Sequence, residues 1–394
     1  LITEGHSMAK FESVDFYNVE KNFTEDEIMV RDVVRSWVDE KIIPNIEGYC
    51  ENEVFPREII TEMGDMGLFG CYLKDYGCAG LSNVAYGLIC QELERGDSSV
   101  RSCLSIQGSL CMLPIYLFGT SKQKEKYLPD LASAKKVGCF GLSEPDFGSD
   151  PKNMITKAIR KDDSYVINGA KMWITNGSIA DLAIVWAKLD NDIRGFIVEK
   201  GDNGFSAQIM KGKHSFRASV TSELVFQDCK IPIDRILPKT KGMKSALTCL
   251  TQARYGIVWG SLGSAMCCYD SSVKYAKSRI MFEKPIASFQ LVQNKLAWML
   301  REITKGQLLA YHLGKAKDNE TASSEMISLG KMNNVDIAMK IARMARDIHG
   351  ANGILNEYPV MRHMVNLESV SLQGTHDIHN LILGKWITGI QAFD

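Results

Sequence analysis

The spacing of apolar residues changes twice along this chain, and those two changes limit what it can fold into. Up to about residue 137 apolar side chains recur every three or four positions. From Gly138 to about Ile236 they fall in short alternating runs, and from Thr240 onward helical spacing returns in longer segments. A period near 3.6 marks amphipathic helices and a period of 2 marks half-buried strands. The pattern predicts an α+β multidomain chain in the order helical, β, helical. At 394 residues it is long for one hydrophobic core. The composition shifts divide it into an all-α unit at 8–137, a β-sandwich or barrel unit at 138–239, and a helical bundle at 240–394.

In the first unit Thr24 and Glu27 have the spacing of a capping box. Val30, Val33, Val34, Trp37 and Val38 then trace one helix face, which should end before Pro44. Ile59, Ile60, Met63 and Met66, followed by Leu68, make a second face, with a turn at Gly77, Gly80 and Leu81. Val84 to Leu93 is a third helix and Leu104 to Phe118 a long apolar fourth, with Ser121 capping the next. In the second unit, runs such as 165–169, 183–187, 195–198 and 223–226 read as antiparallel strands. Turn signals at Asn168-Gly169, Asn176-Gly177 and Asn203-Gly204 separate them. In the third, 253–280, 286–313, 323–348 and 375–390 give a four-helix set.

Composition removes several function classes. The formal net charge is −1, with no basic block to hold a nucleic acid by bulk electrostatics. No apolar run approaches the length of a membrane span. The 11 cysteines are scattered, without a Cys-x-x-Cys pair. That fits free thiols in a reducing compartment, cytoplasmic or mitochondrial matrix, better than a disulfide framework or a metal site. Leu1 to Ser7, ahead of Met8, read as an extraneous leader. There is no secretory signal, and Ala392-Phe393-Asp394 is not a peroxisomal address.

Five stretches could carry chemistry. Ser371-Leu372-Gln373-Gly374-Thr375-His376-Asp377-Ile378-His379 is a polar loop that enters a helix, with Gly374 allowing a tight turn. Gly141 to Asp150 is a strand end running into a glycine-containing polar loop, which on composition alone is ordinary surface. Lys171 to Gly177 is a strand whose Trp173 could stack on a planar ring and whose Thr175 could offer a hydroxyl, although a core Trp is the commoner case. Arg279, Phe282, Pro285, Ile286 and Gln290 put a guanidinium at a helix end before a proline turn. Arg101 sits at the start of a very apolar helix, and Arg254 at the opening of a long one. A guanidinium at the Arg101 position needs a partner: a ligand carboxylate, or equally a structural ion pair with Glu92, Glu94 or Asp97.

These stretches resemble the acyl-CoA dehydrogenases, most of all glutaryl-CoA dehydrogenase, over essentially the whole chain after Met8. The resemblance implies two α domains flanking a β domain, FAD at their junction, and a homotetramer whose cofactor site crosses a subunit boundary. It implies that Leu142, Ser143, Trp173, Thr175, Arg279, Phe282, Gln290, Gly350, Gly353, Thr375 and Asp377 serve the cofactor. It places Ser149, Arg254 and Gly374 on the thioester. Arg101, with Ser102, lies where glutaryl-CoA dehydrogenases grip the distal carboxylate of the acyl group. The thioester would arrive on CoA or an acyl-carrier protein, and an electron-transferring flavoprotein is the implied electron acceptor.

One position departs from the family. The residue before Gly-Thr is normally the glutamate that removes the Cα proton; here it is Gln373, preceded by Leu372 where an aromatic is usual, in a loop one residue short. Some members carry the base just before the equivalent of Arg254, where this chain has Ala253. A carboxamide has no usable proton affinity near neutral pH. Three readings stay open: an oxidising dehydrogenase whose base has been replaced, a non-oxidative decarboxylase of an unsaturated glutaconyl-type thioester, and a non-catalytic thioester-binding flavoprotein. His376, Asp377 and His379 also occur beside the glutamate in the family, which makes them weak substitutes for it.

Overall fold

A computed structural model describes residues 14–392, so the Leu1–Ser7 leader and the last two residues lie outside the described residues. Helix α1 (Glu25–Trp37) starts in the expected capping box. The Thr24 hydroxyl accepts from the Glu27 N–H at 3.2 Å while the Glu27 carboxylate accepts from the Thr24 N–H at 2.9 Å. It runs on through a wide π turn, Val38–Ile42, and is broken before Pro44. Val34, Trp37 and Val38 face the core, but Val33 is exposed. Short helices α2 (Ile46–Asn52) and α3 (Arg57–Asp65) lead to α4 (Asn83–Gly96), which is buried throughout all but its first residue.

The apolar fourth helix begins six residues earlier than its periodicity indicated. It comprises α5 (Ser98–Ser105), a π segment (Ile106–Met112) and α6 (Leu113–Phe118). Contrary to the reading of the sequence, Ser98–Phe118 is apolar and long enough to cross a membrane; most of it is instead covered by protein. Helix α7 (Ser121–Ala132) is capped by Thr120 rather than Ser121: the Thr120 hydroxyl takes the Gln123 N–H, and Gln123 closes the box.

The middle of the chain is one seven-stranded sheet, with β1 (Gly138–Gly141), β2 (Lys157–Lys161), β3 (Ser164–Thr175), β4 (Leu182–Leu189), β5 (Asp192–Glu199), β6 (Phe205–Ile209) and β7 (Thr221–Pro232). The order is β1-β4-β2-β3-β7-β6, with β5 also paired to β4. It is not purely antiparallel, because β1 and β2 both pair with β4 in parallel. Along β4, Leu182, Ile184 and Trp186 join the helical core while Ala183, Val185 and Ala187 fill the sheet's own core. A strand buried on both faces reads as a continuous apolar run. Asn168-Gly169 is not a turn but a bulge inside β3: the pairing with β7 slips there, and Gly169 adopts φ +145°.

Helix α8 (Gly242–Ser278) is 37 residues long and packs on α4 and on α10 (Ser324–Ile348). A hairpin, β8 (Ile280–Met281) and β9 (Lys284–Pro285), turns the chain into α9 (Gln290–Asp318). Beyond α10 there are two helices, not one: α11 (Val360–Leu372) and α12 (His376–Thr388). The C-terminal part therefore has five helices where four were expected.

Candidate active site

The loop between α11 and α12 is built by its own sequence. Gln373 ends α11, Gly374 reverses the chain at φ +75°, and the Thr375 hydroxyl caps α12 by accepting from the Ile378 N–H at 3.4 Å. The loop is fastened from α10. Lys331, 1% exposed, donates to the Ser371 carbonyl at 3.0 Å and the Gly374 carbonyl at 2.7 Å. A methyl group on Gly374 would lie 3.1 Å from Arg254 Nε and 3.4 Å from His379 Nε2, so the loop backbone passes directly over both.

Arg101 lies in the same neighbourhood. Its Nε donates to Glu94 Oε2 at 2.5 Å, and Glu94 also accepts from the Ser98 hydroxyl at 3.0 Å. The structural ion pair weighed from the sequence thus exists. It leaves Arg101 Nη2 buried without a partner, beside Ser102, which is equally buried. Both ring nitrogens of buried His379 are also unpartnered. Burial, then the charges of Lys331, Arg254 and His376, push the His379 imidazole down to about 3 and keep it neutral. Burial alone lowers Arg254. Arg101, Arg254 and Lys331 thus lie close together beneath the loop, near enough that both guanidinium charges act on the Lys331 amine.

The loop after β1 is held by a second buried pair. Lys171 donates to Glu144 at 2.8 Å and to the Leu142 carbonyl at 3.0 Å, and the Glu144 carboxylate also takes the N–H groups of Ile155 and Thr156. Burial opposes ionisation of Glu144, but the Lys171 hydrogen bond and charge outweigh it and hold the carboxyl below its usual range. The Ser143 carbonyl accepts from the Met172 N–H at 2.9 Å, which ties this loop to β3. Leu142 is buried, Ser143 and Thr175 are half-buried, and Ser149 is exposed. The pairing of β3 with β7 slips again between Lys171 and Ile174. Trp173 there sits at φ +65° with 62% of its surface exposed. An indole held outward on strained backbone is a surface made for a planar ring, so the residues present fit a flavin.

Arg279, Phe282, Gln290, Gly350 and Gly353 form a separate group. Arg279 follows α8; Phe282, at φ +49°, is 84% exposed; Gln290 opens α9. Gly350 and Gly353 lie against the same end of α8, where His349 stacks on Tyr275 at 4.4 Å and Asn352 donates to the Tyr275 hydroxyl. Arg254 and Arg279 stand 25 positions apart on and just beyond one helix, roughly 37 Å at 1.5 Å per residue. The chain therefore gathers Arg101, Ser102, Arg254, Gln373 and Gly374 along the first half of α8, with Arg101 beside Gly260 at its middle, and sets the Arg279 group at its C-terminal end. Asp377 is exposed in the first turn of α12. Among the described residues no group of three or more His, Cys, Asp or Glu could hold a metal, and all 11 cysteines are free.

Lys331 escaped the sequence reading. Its signal was there: it sits four residues after Ile327 and four before Val335, a charge on an otherwise apolar helix face.

Helical N- and C-terminal parts around a central, partly parallel sheet that packs one face on the helices, with an indole held outward and a buried guanidinium lacking a partner, fit a class of protein that binds a flavin and an acyl thioester. Family models described as the N-terminal, middle and C-terminal domains of acyl-CoA dehydrogenase match residues 24–135, 139–229 and 240–388. The chain belongs to the acyl-CoA dehydrogenase family, whose members are FAD-dependent flavoenzymes. It is 35% identical to an acyl-CoA dehydrogenase of Bacillus subtilis over 93% of this chain and 99% of that one. It is similar to a glutaryl-CoA dehydrogenase of Mycobacterium smegmatis at 51% identity and a TM-score of 0.94, covering 95% of this chain and 98% of that one. A glutaryl-CoA dehydrogenase of the same organism in complex with FADH2 matches at 47% identity and a TM-score of 0.95, over 96% of this chain and 98% of that one.

Proposed function

We propose that this chain binds FAD and a short dicarboxylic acyl thioester in the manner of a glutaryl-CoA dehydrogenase, with its α,β-dehydrogenation limited by Gln373. Arg101 carries the choice of acyl group. A buried guanidinium nitrogen without a partner is costly, and a carboxylate is the group that satisfies it best. The Arg254 guanidinium nearby favours the same anion. The likeness to glutaryl-CoA dehydrogenases supports this reading.

In it, Arg101 and Ser102 hold the distal carboxylate, and Arg254, Ser149 and Gly374 hold the thioester and its carrier, CoA or acyl-carrier protein. FAD, when bound, supplies the acceptor for the hydride that leaves Cβ. Leu142, Ser143, Trp173, Thr175, Thr375 and Asp377 meet it from one subunit. Arg279, Phe282, Gln290, Gly350 and Gly353 meet it from a neighbour in a homotetramer. An electron-transferring flavoprotein reoxidises it, in a cytoplasmic or matrix setting. Gln373 can donate to or accept from the substrate, but it cannot take the Cα proton.

A second reading rests on that same residue. Loss of CO₂ from an already unsaturated thioester needs an electron sink and a desolvated carboxylate, not a Cα base. The relatives compared are dehydrogenases, which favours the oxidative reading. Anaerobic mixing of the FAD-loaded protein with glutaryl-CoA and with glutaconyl-CoA separates the two, following flavin absorbance and CO₂ together. Bleaching by glutaryl-CoA at ordinary turnover supports oxidation. CO₂ from glutaconyl-CoA alone supports the decarboxylase. A spectral shift with neither reaction leaves a binding protein.

A further inference from the structure

Lys331 is the least accounted-for charge in the fold. It sits on the buried face of α10 among Ile327, Ser328, Asn334 and Val335. Its two hydrogen bonds go to carbonyls on either side of Gln373: Ser371 in the last turn of α11, and Gly374 in the reversal. The final carbonyls of a helix carry its negative end, so a cation there is stabilising. Among the described residues Lys331 makes no ion pair. The charged and titratable groups that face it are Arg101 from α5, Arg254 from α8, and, across the loop, His376 and His379 from α12. From α11 the Ser371 carbonyl reaches it. Glu94 on α4 is taken up by Arg101 and Ser98.

We propose that Lys331 is a positioning residue: it sets the backbone on both sides of Gln373, and it takes up a proton when the distal carboxylate of an acyl group pairs with the unpartnered Arg101 nitrogen beside it. This deepens the dicarboxylic reading above and rests on it. Burial, then Arg254, then Arg101 bring the Lys331 amine down to about 7. About one pH unit above that value the ligand-free protein therefore holds it mostly uncharged. An incoming carboxylate favours the ammonium and raises its proton affinity. Binding then consumes a proton, and affinity for a carboxylate-bearing ligand falls as pH rises above 7.

The test is calorimetry on the FAD-loaded protein at pH 8, in two buffers of different ionisation enthalpy, with two unreactive CoA thioethers. One carries a 4-carboxybutyl group and the other a pentyl group; both share the CoA phosphates. The carboxybutyl ligand is expected to take up most of one proton more than the pentyl ligand. Lys331→Arg, permanently charged and able to reach the same carbonyls, is expected to bind the carboxybutyl ligand without that extra uptake. Lys331→Met is expected to lose the uptake and to bind both ligands at least tenfold more weakly. Extra uptake that survives in Lys331→Arg overturns the proposal. Preferential binding of the carboxybutyl ligand with no extra uptake leaves the dicarboxylic reading standing and this inference wrong. No preference for the carboxybutyl ligand sinks both.

Discussion

Gln373 sits at the end of α11 with its backbone N–H on the Ser369 carbonyl at 3.2 Å, and among the described residues no carboxylate takes part in the loop's hydrogen bonds. A positioned general base contributes typically ~10²–10⁴-fold. Gln373→Glu is therefore expected to speed flavin bleaching by glutaryl-CoA by about that factor in anaerobic stopped flow. An unchanged rate would show that the short loop, and not the carboxamide, sets the limit. Glu144 is a structural counterpart. Glu144→Gln leaves the Lys171 ammonium buried without its carboxylate, a change of ~3–5 kcal/mol when a buried pair is broken. The sign with pH follows. The Glu144 carboxyl is held below its usual range in the fold, so its contribution is present above the unfolded value near ~4.3 and is lost as pH falls through the folded value. Urea midpoints between pH 3 and 6 should converge for the two proteins at the acid end. Arg101 was legible because a guanidinium at the start of an apolar helix needs an answer; Arg254 was expected to open its helix but lies 13 residues into α8. Lys331 left only its place on a largely apolar face, because its partners are backbone carbonyls forty positions on, and the sequence does not print carbonyls.

The elements were read better than their ends. Helical spacing marked α4, α8 and α10 because each buries a continuous apolar stripe. It missed α11, whose short run of 13 residues is split by Arg362, His363 and Asn366. His363 and Asn366 are buried and Arg362 half-buried, and all three are paired within the fold: Arg362 on Glu47 and Asp97, His363 with the Ser264 hydroxyl, Asn366 on Asp97 and on the Phe216 N–H. Tertiary partners thus erase the apolar pattern on which such reading depends. The same holds for Asn168-Gly169, a turn by local chemistry. Gly169 is needed because a Cβ there would lie 2.4 Å from the Thr156 hydroxyl, so the dipeptide became a bulge. Two predictions belong at this scale. Thr120→Ala should destabilise by ~1 kcal/mol and Ser121→Ala by far less, since the cap is the earlier residue. Gly169→Ala should cost more than either, ~1–3 kcal/mol, through a backbone angle that L residues rarely adopt and the clash behind it. Thermal midpoints of the three variants order the effects.

At the scale of the whole molecule, the apolar surface is the telling feature. Trp386, Ile387 and Ile390 on and after α12 are 72%, 73% and 73% exposed, and Phe282 and Leu291 at the far end of α8 are 84% and 78% exposed. Clustered exposed apolar side chains are where a partner surface is expected, in line with the homotetramer proposed above. Sedimentation of the FAD-loaded protein should give a tetramer. Trp386→Glu should shift it to smaller species without altering the helical content seen by circular dichroism.

The roughly 37 Å of α8 between Arg254 and Arg279 has a genetic consequence. In an assembly where each flavin is shared between two chains, the damage done by Trp173→Ala falls on a chain's own cofactor, and that done by Arg279→Ala falls on its neighbour's. Two inactive alleles expressed together would then form hybrid pairs with one doubly damaged cleft and one intact cleft. The mixture would retain flavin that neither homogeneous variant holds, so an inherited defect on the sheet side of the cofactor would be masked by a different defect beyond the end of α8.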